Sequence, residues 1–111
     1  MSDAQKIELS MKALKTKIRR GDLLERLIDN PDFKEFILDG FMGKERLQDL
    51  VAKTVSHNFQ DPANKLYVDS QLTAIGALRV FLLLTEQEAS IAKEALASAE
   101  EEKLRALEEE V

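Results

Sequence analysis

Ile7, Met11, Leu14 and Ile18 recur at steps of four, three and four, a spacing that predicts an opening amphipathic helix with a narrow apolar stripe. Ser2 and Gln5 have capping-box spacing at its start. Gly21 is the expected left-handed stop, after which Asp22 and Glu25 open a short helix with Leu23, Leu24, Leu27 and Ile28 on a broad apolar face. Asn30-Pro31 closes that helix and starts the next, because the N–H that proline lacks would be unpaired at the first helical position anyway. The next helix is expected over Asp32 to Asp39, burying Phe33, Phe36 and Ile37 and ending at Gly40. Phe41 and Met42 then form an apolar connector to be pinned under neighbouring helices. Lys44 to His57 reads as a further helix with Leu47, Leu50, Val51 and Val55 on one face and His57-Asn58 at its frayed end.

Asp61-Pro62 repeats the cap-plus-proline start, and from there to the C-terminus the chain holds no other proline and a single glycine, Gly76. One helix from Pro62 to Glu108 would extend about 70 Å at 1.5 Å per residue. A compact domain of this size, with a radius of gyration near 13–14 Å, cannot cover it, so part is expected to project. Leu66 to Leu84 is assigned to the core, with Leu72, Ile75, Leu78 and Leu82 as its ridge. Beyond Thr85 the heptad line thins to Ala89, Ala92, Leu96 and Ala99; Lys103 breaks it, and Leu104, Leu107 and Val111 resume on a shifted line. The expectation is an all-α fold in which several short helices pack on the first half of a long C-terminal helix that projects as an arm. Its divisions are a helical head, 1–85, and an acidic Ala/Glu-rich extension, 86–111. An isolated helix so rich in alanine is marginal without packing, so Ala89, Ala92, Leu96, Ala99, Leu104 and Leu107 become the candidate partner-binding residues.

Charge adds polarity to this picture. Residues 1–20 carry six bases against Asp3 and Glu8, a net of +4, whereas 86–111 carry three bases against nine glutamates, a net of −6; the whole chain of 111 residues stands at −5. Such opposed ends suit docking of one end on the other, head-to-tail association, or partners of different charge, against the plain alternative of two solvated helix faces. Lys12, Lys15, Arg19 and Arg20 form a strip available for electrostatic contact, with nucleic acid as one conceivable partner. No aromatic residue lies in the strip for base stacking, and cations near a helix C-terminus also complement the macrodipole.

The composition is poor in reactive groups. Without cysteine there is no disulfide, thiol catalysis or thiolate metal site, and the single histidine, His57, lacks a companion at metal-ligand spacing. Gly40 and Gly43 lack the lysine-serine continuation of a phosphate loop, and Asp29, Asn30 and Asp32 lack the glycine and glutamate of a calcium loop. Neither an enzyme nor a cofactor is expected. The longest uninterrupted apolar run, Val80 to Leu84, is far below the roughly 20 residues of a bilayer span. The amphipathic, lysine-dotted first 20 residues do not have the form of a secretory signal.

Asn30-Pro31-Asp32-Phe33, Ile37-Leu38-Asp39-Gly40-Phe41, the Leu47 to Val51 helix and Asp69 to Leu78 lie in a run, Leu24 to Leu83, that resembles small helical proteins encoded among the structural genes of tailed bacteriophages. The likeness involves about half of the chain and consists of punctuation plus apolar spacing, so it transfers no functional residue. It implies a non-enzymatic virion structural or assembly protein near the head, portal or tail, located in the virion or the host cytoplasm. The expected partners are further copies of the chain, through its C-terminal helix, and other virion proteins, with no membrane partner expected from so short an apolar run. The competing reading is a small acidic regulatory protein that sequesters a host factor.

Overall fold

The computed structural model describes residues 2–56 and 61–110. It is all-helical: short helices pack against one long, extended C-terminal helix. The order is α1 (Asp3–Ile28), α2 (Pro31–Phe33) running directly into a π-helical stretch (Lys34–Phe41), α3 (Lys44–Thr54) and α4 (Pro62–Glu110). Three of the starts use the expected caps. The Ser2 N–H donates to Gln5 Oε1 at 2.8 Å while the Gln5 N–H donates to Ser2 Oγ at 3.2 Å, the reciprocal pair of a capping box. Asn30 Oδ1 accepts from the N–H groups of Asp32 and Phe33, and Asp61 Oδ1 accepts from that of Ala63.

Contacts group the chain into two compact units. One combines the residues up to Glu25 with those from Leu83 onward; the other is Arg26–Leu82. The expected boundary at 85/86 left residues 1–25 with the head, whereas these contacts place them with the C-terminal segment.

In the first unit, α1 runs antiparallel to the last part of α4: Glu8 meets Lys103, and Gly21 meets Ala89. Ala4 and Met11 are buried and Ile7, Leu14 and Ile18 are half-buried, so the predicted stripe is the packed one. Gly21 is not a stop. No described residue has a positive φ, and α1 continues through Gly21 and the supposed new start at Asp22. What the missing side chain provides is proximity: a Cβ at Gly21 would collide with the methyl of Ala89. Of the broad face expected after it, only Leu24 is buried, while Leu23, Leu27 and Ile28 are exposed.

The second unit is built around Met42, Leu50 and Ile75, with Ile37, Leu38, Phe41, Leu47, Leu72, Leu78 and Leu82 packed against them. The predicted α4 ridge and the pinned Phe41-Met42 connector are both part of this core. Gly40 does not end its helix, because the winding widens: the Met42 N–H donates to the Ile37 carbonyl five residues back at 2.9 Å. Phe36, expected inside, is 77% exposed. Gly43 comes next because the Asp39 carbonyl occupies the space a side chain would need. Arg46 ties the pieces together. Its Nη1 donates to the Phe41 carbonyl at 3.0 Å, its Nη2 donates to Gln71 Oε1, and its guanidinium lies 4.7 Å from the Phe41 ring centre. On α3, Leu50 is buried and Leu47 half-buried, but Val51 and Val55 face outward. The expected frayed end at His57-Asn58 lies outside the described residues.

Candidate functional site

Among the described residues no group of three or more His, Asp or Glu side chains is placed to hold a metal ion. The surface features that stand out are a covered seam, an ion pair and an uncovered helix face.

The seam is Ala89, Ala92, Leu96 and Ala99. Ala89 and Ala92 are buried, Ala92 to 1%, and Leu96 and Ala99 are half-buried. The antiparallel register set by Gly21 and Ala89 brings Ile18 to the level of Ala92 and Leu14 to that of Leu96. The small residues that the spacing offered to a partner thus serve a close approach within the chain. Leu104 and Leu107 remain exposed.

Lys103, the break in the heptad line, reaches across to α1. Its Nζ lies 2.6 Å from Glu8 Oε2, and the two residues are the minority charges of their segments, an acid from the basic end and a base from the acidic end. The hydrogen bond from Lys103 and its positive charge, with smaller contributions from Lys15 and Lys12, hold the Glu8 carboxyl below its ordinary range. Lys12, Lys15, Arg19 and Arg20 are all exposed. At 100° per residue the first three project within about 60° of one another, with Glu8 inside that sector, and Arg20 points roughly 80–140° away from them. The ion pair therefore interrupts the cationic strip at its N-terminal end.

The uncovered face lies on α4. Within the Arg26–Leu82 unit, Leu66, Thr73, Ala77 and Val80 fall within about 60° around the helix, on the side opposite buried Val68 and the core ridge of Leu72, Ile75, Leu78 and Leu82. Every residue of the outer set is exposed, Leu66 at 70% and Val80 at 54%. Assigning the whole stretch Leu66 to Leu84 to the core overlooked this second apolar side: one helix carries two apolar faces, and the short helices cover only one. Residues 66, 73, 77 and 80 follow at steps of seven, four and three, a helical spacing like the four, three, three and four of the inner ridge, so the signal was present in the spacing. Uninterrupted run length also understates this helix. It contains an 18-residue window long and apolar enough, by length and composition, to cross a bilayer, with 11% of that window buried.

No family model, curated protein or solved structure matches this chain.

Proposed function

We propose that this chain is a non-enzymatic structural or assembly protein of a tailed-phage particle, acting by helix-mediated self-association and binding of other virion proteins. The observation that carries the reading is the outer face of α4 in the Arg26–Leu82 unit, where Leu66, Ala77 and Val80 stand exposed on a helix whose other side is the core. Contiguous apolar surface rimmed by polar residues marks contact sites between proteins. The phage setting rests on the sequence resemblance. Partner contact moves accordingly: Ala89 and Ala92 are occupied within the chain, whereas Leu104, Leu107 and the outer α4 face are among the exposed apolar residues.

Mass spectrometry of purified particles and assembly intermediates tests the role. The protein is expected in a fixed, multiple copy number relative to the capsid protein. Its absence from particles and precursors, together with tight capture of a host protein, would overturn the reading in favour of the regulatory one.

A further inference from the structure

Within the Arg26–Leu82 unit, α3 and α4 border an open groove of about 550 Å³. Met42, Leu47, Val51 and Ala52 line it with apolar surface, while Lys44 from α3 and Arg79 from α4 stand on its rim. We propose that this groove receives an acidic amphipathic helix of a partner protein, whose apolar side chains enter between the two helices and whose carboxylates meet Lys44 and Arg79. The proposal rests on the partner-binding part of the proposed function and supplies the chemistry of that partner.

The sign of the partner follows from the sign of the groove. Two cations and no carboxylate line it, in a chain whose acids outnumber its bases 21 to 16. Lys44, Gln48 and Val51 succeed one another at steps of four and three on the exposed side of α3 that borders the groove. Both acids of α3, Glu45 and Asp49, project roughly 60–160° around the helix from that line. The ion pairs among the described residues join Glu8 to Lys103 and Glu101 to Arg105, so both rim cations are left to solvent. Lys44 also sits in the first turn of α3, where the macrodipole is already positive. A carboxylate from outside the chain neutralises that accumulation.

The length of the groove suits a helix. From Lys44 to Val51 is about 10 Å along α3, two turns, which matches the spacing of anchors on an amphipathic helix laid in a groove. A second cavity of the same unit, beside Phe36 and Phe41, has the opposite rim. Asp32 and Glu35 line it, and its one cation, Arg46, already donates to the Phe41 carbonyl and to Gln71. An acidic helix therefore distinguishes the two cavities. An anionic lipid surface suits the groove less well, because headgroup-binding segments cluster about four to eight lysines and arginines, whereas Lys44 and Arg79 stand here as a pair.

Fluorescence anisotropy of the full chain with a labelled synthetic peptide tests the proposal. The peptide is a helix of about four turns, with leucines at heptad spacing on one face and glutamates flanking them, and a second peptide carries lysine in place of every glutamate. The wild-type chain is expected to bind the acidic peptide about tenfold more tightly than the basic one. In K44E/R79E two attractions become two repulsions, so the preference should reverse. Val51→Asp should weaken binding of the acidic peptide roughly tenfold, Phe36→Ala should bind as wild type does, and far-ultraviolet dichroism checks that each variant keeps its helicity. Equal binding of the two peptides, no binding of the acidic one, or an unchanged preference in K44E/R79E would overturn the proposal. A lower sedimenting mass for K44E/R79E than for wild type would overturn it in favour of a second copy as the occupant. Flotation of wild type, but not K44E/R79E, with phosphatidylserine vesicles in place of peptide binding would overturn it in favour of lipid. The particle measurement reads the virion role without reference to this groove, so the two ideas fail separately.

Discussion

Adding one methyl group at Gly21 should separate α1 from the end of α4, and moving the same methyl from Ala89 should bring them back. Gly21 lies inside α1, where alanine favours the helix over glycine by about 1 kcal/mol. Against this gain stands the Ala89 methyl, already in the space that a Gly21 Cβ would occupy and attached to a helix backbone with no rotamer to retreat into. Overpacking of this kind costs about 1–3 kcal/mol, so G21A should come out destabilised by up to about 2 kcal/mol despite its better propensity. Ala89→Gly loses about 1 kcal/mol of propensity and roughly 0.8 kcal/mol for the buried methyl, Ala89 being only 5% exposed. In G21A/A89G a single methyl fills the shared space and the two propensity changes cancel. The double variant should therefore return close to the wild-type stability, a coupling of about 2 kcal/mol or more. Urea unfolding followed by dichroism reads all four proteins, and a change of 1 kcal/mol moves the melting midpoint by roughly 4 °C for a chain near this size. Additive effects, with the double variant as unstable as the sum of the two singles, would refute the contact and the antiparallel register drawn from it.

Ile75→Ala, at a site 2% exposed in the centre of the core, should cost about 2–5 kcal/mol, whereas Phe36→Ala at a 77% exposed site should fall within about 0.5 kcal/mol of wild type; denaturant midpoints compare them. Because the Glu8 carboxyl sits below its ordinary value of 4.5, the stability that it contributes is full above that pH and is lost as the pH falls through the lowered folded value. Glu8→Gln should flatten this acid dependence in pH-resolved melts and leave the neutral-pH fold intact, the effect being small because the pair is solvent-exposed. Asn30→Ala removes the acceptor of two backbone N–H groups and should cost about 1 kcal/mol in urea unfolding, with Asn30→Ser recovering most of it.

The caps were readable in the sequence because each is a local event. Ser2 with Gln5, Asn30 before Pro31, and Asp61 before Pro62 satisfy donors within three residues of themselves. The ridge of Leu72, Ile75, Leu78 and Leu82 was readable for a related reason, since helical spacing alone puts those residues on one side. Gly21 was not. A glycine ends a helix by adopting positive φ or admits a neighbour by lacking a side chain, and only the arrival of Ala89, 68 residues later, separates the two uses. The π-helical winding from Lys34 to Phe41 has no local signature either, and it carries the helix through Gly40, where a stop was expected. For the candidate site, spacing located one apolar line on α4, the ridge with its alanine continuation, but could not say that the continuation was already filled within the chain or that a second side stood exposed. Ala89 and Ala92 accept the close approach of α1, whereas Leu66, Val80 and Ile91 are left outside. Lys103, a flaw in the heptad by spacing alone, gains its purpose from Glu8.

Sedimentation equilibrium of the full chain and of its L66D/V80D variant tests the claim that this protein works by associating through the outer face of α4. Both substituted positions are exposed and lie off the core ridge, so helicity measured by dichroism should be unchanged. The wild-type chain should sediment as a dimer or a multiple of it, including near 1 M salt, where the Debye length falls to roughly 3 Å and an apolar contact persists. The variant should sediment as a monomer. A monomeric wild type across the concentration range, or a variant of equal mass to it, would contradict the claim.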